Sequence, residues 1–92
     1  MLMGRSYDAR MNTADACTRV REVIARNIKR RRKEVYLSQQ ALAEAIGANR
    51  TYLSDIETGN GNPPVDMLVK IALGLGVKLT DLIDGADETL LD

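Results

Sequence analysis

Ninety-two residues make one small domain, 45% hydrophobic and 28% charged, with thirteen basic residues balanced by thirteen acidic ones. There is no histidine, which excludes imidazole catalysis and imidazole metal sites, and the one cysteine, Cys17, excludes an internal disulfide and a cysteine-rich zinc site. The zero net charge conceals a partition: residues 1–40 hold ten basic residues against four acidic ones, while residues 41–92 hold three against nine.

The unpaired cysteine fits a reducing, cytoplasmic setting. No apolar run is long enough to cross a membrane, and the opening MLMGRSYDARMNTADA lacks the apolar core of a secretory signal. Residues 1–12 are expected to be a disordered leader, residues 13–84 the folded domain, and residues 85–92 an acidic tail.

Along the folded part the apolar spacing is helical throughout, and strand alternation is absent. Cys17, Val20, Ile24, Ile28 and Val35 form the inner face of one long helix from Thr13 to Val35, whose other faces carry most of the positive charge. Cys17 is read as a small core residue rather than a nucleophile, since no base accompanies it. Ser38 can cap a short second helix that turns Leu42, Ala43 and Ile46 inward. Gly47 permits a reversal in few residues, and Asn49 can cap a third helix burying Leu53 and Ile56 and stopping near Gly59. The loop Asn60-Gly61-Asn62-Pro63-Pro64 leads to a fourth helix that buries Val65, Leu68, Ile71, Ala72 and Leu75. Gly76 ends it, and Thr80 or a neighbour caps a short fifth helix carrying Leu79, Leu82 and Ile83.

The run Leu37-Ser38-Gln39-Gln40-Ala41-Leu42-Ala43-Glu44-Ala45-Ile46-Gly47, continued by Ala48-Asn49-Arg50-Thr51-Tyr52-Leu53-Ser54-Asp55-Ile56-Glu57-Thr58-Gly59, resembles the Cro/repressor-type (Xre) helix-turn-helix. The likeness continues through Pro64, Leu68, Ile71-Ala72 and Leu75-Gly76-Val77, and spans residues 24–84. It implies an all-α, five-helix, lambda-repressor-like domain in which helices 2 and 3 form the helix-turn-helix and helix 1 is extended. Tyr36 departs from the pattern, because the family often places a glycine there, so a differently shaped turn between helices 1 and 2 is expected.

The resemblance implies a sequence-specific binder of double-stranded DNA, a transcriptional regulator acting as a homodimer on a palindromic operator. Helix 3 would lie in the major groove with Asn49, Arg50, Thr51 and Asp55 as base readers. Arg50 can donate a fork to guanine, and Thr51 can pack on a thymine methyl. Asp55 either accepts from a cytosine amino group or orients Arg50 or a neighbouring donor, the orienting role being slightly favoured. Gln39, Tyr52, Ser54, Asn60 and Asn62 would touch the DNA backbone, and of the basic run Lys29, Arg30, Arg31 and Lys33 at most one or two can join them, Arg31 among these. Arg32 and Glu57 would form a structural ion pair between helices 1 and 3. Leu75, Val77, Leu79, Leu82 and Ile83 are the candidate dimer surface. No enzyme activity, cofactor, metal, membrane or small-molecule ligand is expected. Short controllers of restriction–modification systems and phage-type repressors are the nearest types, and an antitoxin-like or other protein-interaction module is the alternative.

Overall fold

The computed structural model describes residues 6–91, and six helices run in chain order: α1 Thr13–Glu34, α2 Gln39–Ala45, α3 Arg50–Glu57, α4 Val65–Leu75, α5 Leu79–Leu82 and α6 Ala86–Leu90. The first five are those expected, and no strand joins them among the described residues. Each start has a local cause. Asn12 Oδ1 accepts from the Asp15 amide at 2.8 Å, Ser38 Oγ from the Ala41 amide at 3.0 Å, and Asn49 Oδ1 from the Tyr52 amide at 2.7 Å. Each bond satisfies one of the amides that a first helical turn leaves without a partner.

The core is aliphatic, built on Ile28, Leu42, Leu53, Ile56, Ile71 and Leu82, all fully buried. α1 supplies Ile24 and Ile28, and α2 and α3 pack across them at a turn where Gly47 takes φ +69°. A β-carbon at Gly74 of α4 would lie 3.2 Å from Ile46 and 3.3 Å from Leu42, so glycine there sets how closely α4 approaches α2.

Several sequence expectations are corrected. Cys17, Val35 and Val65 are exposed, Val65 to 67%. For Val65 the reason is its place in the first turn of α4, ahead of the residues that face α1 and α2. Of Thr80 and its neighbours it is Lys78 that opens α5, its amide donating to Asp81 Oδ2 at 2.9 Å. Leu75 and Leu82 are buried inside the protomer, so neither belongs to a dimer surface. The periodicity of a four-residue helix does not separate inward Leu82 from outward Leu79 and Ile83.

The turn between α1 and α2 has an unusual backbone. Tyr36 adopts φ +59°, the left-handed conformation that a glycine takes without strain, here with a side chain on it. The Tyr36 amide donates to the Lys33 carbonyl and the Leu37 amide to the Arg32 carbonyl, closing the end of α1. A side chain in this conformation costs about 1–2 kcal/mol.

The chain ends differ from expectation as well. Residues 1–5 of the expected leader lie outside the described residues. Residues 6–12 and 86–91 meet: the Asp8 amide donates to the Leu90 carbonyl at 2.9 Å, and Tyr7 pairs with Leu91 in an antiparallel bridge. The expected tail folds into α6, which lies along α1, where Arg19 Nη1 donates to the Thr89 carbonyl at 3.3 Å.

Candidate nucleic-acid interface

α3 exposes one face and buries the other. Leu53, Ile56 and Glu57 turn inward, while Arg50, Thr51, Ser54 and Asp55 line one shallow depression of about 200 Å³. Arg50, Thr51 and Asp55 are exposed, and among the described residues their side chains have no hydrogen bond or ion pair. The expected bond from Asp55 to Arg50 is therefore corrected. Among the described residues, the two side chains line the same depression without bonding to each other or to another donor of the protomer. Asp55 acts instead through its backbone: its carbonyl accepts from the amides of Asn60 and Gly61 and from Thr58 Oγ1, folding the loop back on the end of α3.

Asn49 sits just ahead of this face. Its amide oxygen is occupied by the cap, leaving its Nδ2 hydrogens free to donate outward. Tyr52 and Ser54 are half-buried beside it, and Asn60 is exposed beyond the far end.

The face is held in place by a charge pair beneath it. Arg32 of α1 reaches Glu57 of α3 through Nε–Oε2 at 2.7 Å and Nη2–Oε1 at 2.9 Å, with the side chains 9% and 1% exposed. The bonds from Glu57 hold the Arg32 guanidinium above its ordinary pKa. A third arm, Nη1, donates to the Leu37 carbonyl at 2.7 Å. Gln39 completes the network, its Nε2 donating to Glu57 Oε1 at 3.1 Å. One guanidinium therefore ties α1, the turn after it and α3 together, and orients the first side chain of α2. The Gln39 link is a feature the sequence did not disclose, because its partner lies eighteen residues away.

Two of the expected backbone contacts have neighbours inside the protomer. Arg31 reaches Asp81 of α5 at 3.5 Å and Glu34 at 3.6 Å, so its charge is committed to the α5 side of the molecule. Asn62, exposed in the loop after α3, lines an apolar groove of about 320 Å³ with Ala16, Val20 and Ile24 of α1. Arg26, Lys29 and Lys33 are exposed on α1, with no ion pair among the described residues. They supply unneutralised positive charge on that helix.

Asn27 was also not singled out in the sequence. It is buried in α1, and its Nδ2 donates to the carbonyls of Leu82 at 3.0 Å and Asp84 at 2.9 Å, while its oxygen accepts from Arg30 at 3.2 Å. This side chain pins the end of α5 to α1. Its position on the inner face of a long helix was the available signal, since a polar residue there needs partners.

A family model described as helix-turn-helix matches residues 28–82, from the middle of α1 to the end of α5. The chain belongs to the helix-turn-helix family. This helix-turn-helix protein is 36% identical over 70 residues to the HTH-type transcriptional regulator y4dJ of Sinorhizobium fredii, a match covering 76% of this chain and 91% of the relative. It is 38% identical over 60 residues to the control protein C.MunI of a Mycoplasma species, covering 65% and 81%. Among solved structures, the restriction-modification controller protein C.AhdI from Aeromonas hydrophila superposes with a TM-score of 0.66 at 26% identity, over 67% of this chain and 94% of the controller. No helix among the described residues is long and apolar enough to cross a membrane.

Proposed function

We propose that this chain is a cytoplasmic transcriptional regulator that binds double-stranded DNA as a homodimer on a palindromic operator. The observation that carries the reading is Arg50. It stands in the first turn of an exposed helix, unpaired among the described residues, on one face with Thr51, Ser54 and Asp55 and above a buried ion pair. Leaving a guanidinium without a partner contributes nothing to the fold. It leaves five donors free for a base edge, and the bidentate fork to guanine is the commonest specific contact of this kind. Asn49 Nδ2 and Thr51 supply further contacts, and Asp55 accepts from a cytosine amino group.

Gln39, Tyr52, Ser54 and Asn60 hold the DNA backbone in this reading. Glu57 uses one Nε2 hydrogen of Gln39 and leaves the second for a phosphate oxygen. The dimer forms through the exposed apolar side chains of α5, Leu79 and Ile83, with half-buried Val77 at the edge. Two copies are needed because one module buries only about 600–1,000 Å² on DNA. The names of the relatives, a regulator and a control protein, agree with this function.

The test is enrichment of bound fragments from a random duplex pool, read beside the mass of the protein in solution. A palindromic sequence with half-sites about one helical turn apart, bound by a dimer, is the expected result. Enrichment of nothing sinks the DNA reading and leaves the protein-interaction module standing. An asymmetric site bound by a monomer sinks the homodimer.

A further inference from the structure

Tyr36 is the only residue other than glycine with positive φ among the described residues, and it is also 95% exposed. Both features work against the fold. The ring gains no burial, its hydroxyl has no hydrogen bond among the described residues, and the backbone holds a conformation that glycine adopts without strain. A side chain kept at such a position at the expense of stability points to work outside the protomer.

Its surroundings say what kind of work. The next residue, Leu37, has its carbonyl fixed by Arg32 Nη1 at 2.7 Å, and the same guanidinium holds Glu57, which holds Gln39. Leu37 and Gln39 thus hang from one buried anchor at the end where α2 begins, and Tyr36 stands one residue before the anchored carbonyl. Lys33, whose carbonyl accepts from the Tyr36 amide, is exposed and unpaired among the described residues. Glu34, the nearest carboxylate in sequence, is occupied by Arg30 and Arg31 at 3.6 Å each. An outward phenol beside a free cation and a fixed amide donor suits a polyanion, since tyrosine hydroxyls, lysines and glutamines all serve as phosphate contacts.

We propose that Tyr36 is a DNA-backbone contact, its hydroxyl donating to a phosphate oxygen next to the one held by Gln39 and its ring lying on the adjoining sugar. The inference rests on the reading of α3 as the DNA-facing helix, and it extends that interface past the start of α2 to the turn before it. The contact is to backbone, so it strengthens binding to every sequence alike.

Binding of wild type, Tyr36→Phe, Tyr36→Gly and Arg50→Ala to a random-sequence 30-base-pair duplex at low salt tests it, with thermal melting of each free protein alongside. Tyr36→Phe is expected to bind about fivefold more weakly and Tyr36→Gly on the order of tenfold more weakly, as a bond to phosphate and then the ring are lost. Tyr36→Gly should melt higher than wild type, because the strain is gone; a fold defect would move stability and affinity the same way. The salt dependence should keep its slope in both variants, since no cation is removed. Equal affinity of wild type and both Tyr36 variants overturns the proposal. If Tyr36→Gly disrupts self-association and leaves the affinity of the protomer for DNA unchanged, the side chain serves a protein surface and the proposal is wrong. If wild type binds no duplex, the DNA-facing reading of α3 falls and takes this contact with it. Weakening by Arg50→Ala alone, on a duplex carrying the enriched sequence, leaves that reading intact and removes only Tyr36.

Discussion

Arg32 and Glu57 meet through two parallel hydrogen bonds, of 2.7 and 2.9 Å, in a place where both side chains are buried. Paired guanidinium and carboxylate groups at this depth gain little net stability over an apolar pair, but a lone survivor is costly. Glu57→Ala is expected to lower stability by about 3–5 kcal/mol, and Arg32→Ala by a similar amount, in urea unfolding. Arg32→Met with Glu57→Leu should recover most of the loss. The double variant also frees Gln39, so its affinity for DNA should fall although its stability returns. If the single and double variants lose stability additively, the pair is not the unit described here.

Asn27 makes the corresponding prediction for the other side of α1. Its Nδ2 serves two carbonyls at the end of α5, those of Leu82 and Asp84. Asn27→Ala leaves those acceptors without it and should cost about 1–3 kcal/mol. Hydrogen exchange should quicken in residues 83–91 before it quickens in α2 or α3. Uniform quickening along the chain would show that Asn27 supports the whole core and not this attachment.

These two residues mark how far the sequence could be read. The caps at Ser38 and Asn49, the turn at Gly47 and the exposed face of α3 were legible because each depends on residues within one or two helical turns. The ion pair was legible only through the family pattern, since no local rule connects residues twenty-five apart. Asn27 and Gln39 were not legible in their contacts, whose partners lie fifty-five and eighteen residues away. Tyr36 was legible as a departure from the family pattern, but not its left-handed backbone or its full exposure. The sorting of Leu79 and Ile83 from Leu75 and Leu82 needed the packing itself, because all four are equally apolar.

That sorting predicts how the α5 surface behaves. Leu79 and Ile83 are 41% and 42% exposed, and Leu82 is fully buried between them in sequence. Leu79→Glu with Ile83→Glu should leave the melting of the protomer nearly unchanged and give a monomer in sedimentation equilibrium. Leu82→Ala should instead cost about 2–5 kcal/mol, the usual range for a truncated core leucine. A double glutamate variant that remains dimeric would move the interface away from α5.

The contact between the chain ends has a pH signature. Tyr7 donates to Asp87 at 3.2 Å, and this bond with the neighbouring negative charge raises the phenol above its ordinary 10.0. Asp8 is held below its ordinary 3.8, chiefly by the side-chain bond from Arg10. A raised phenol favours the folded contact below pH 10.0 and loses that contribution as pH climbs through its folded value. A lowered carboxyl contributes above pH 3.8 and loses its contribution as pH falls through its folded value. The Tyr7–Asp87 bond between the chain ends is therefore expected to weaken as pH climbs through the raised phenol value, and the local Asp8–Arg10 pair as pH falls through the lowered carboxyl value. In an NMR titration the Tyr7 ring should shift above pH 10.0 in the wild type and nearer its ordinary value in Asp87→Asn.

Arg50 gives the sharpest test of the DNA reading, because its fold and function effects separate. The side chain is exposed and unpaired among the described residues, so Arg50→Ala should leave stability within about 0.5 kcal/mol of wild type. On the enriched duplex it should cost about 1–3 kcal/mol per half-site and relax the preference at one base pair in each. Arg50→Lys keeps the charge but loses the planar fork, so it should recover general affinity without recovering that preference. Non-specific affinity at low salt should change much less than specific affinity in Arg50→Ala, since a base contact is lost and the phosphate contacts remain. If Arg50→Lys restores the full preference, Arg50 is acting as a charge near the backbone, and the base must be read by Asn49, Thr51 or Asp55.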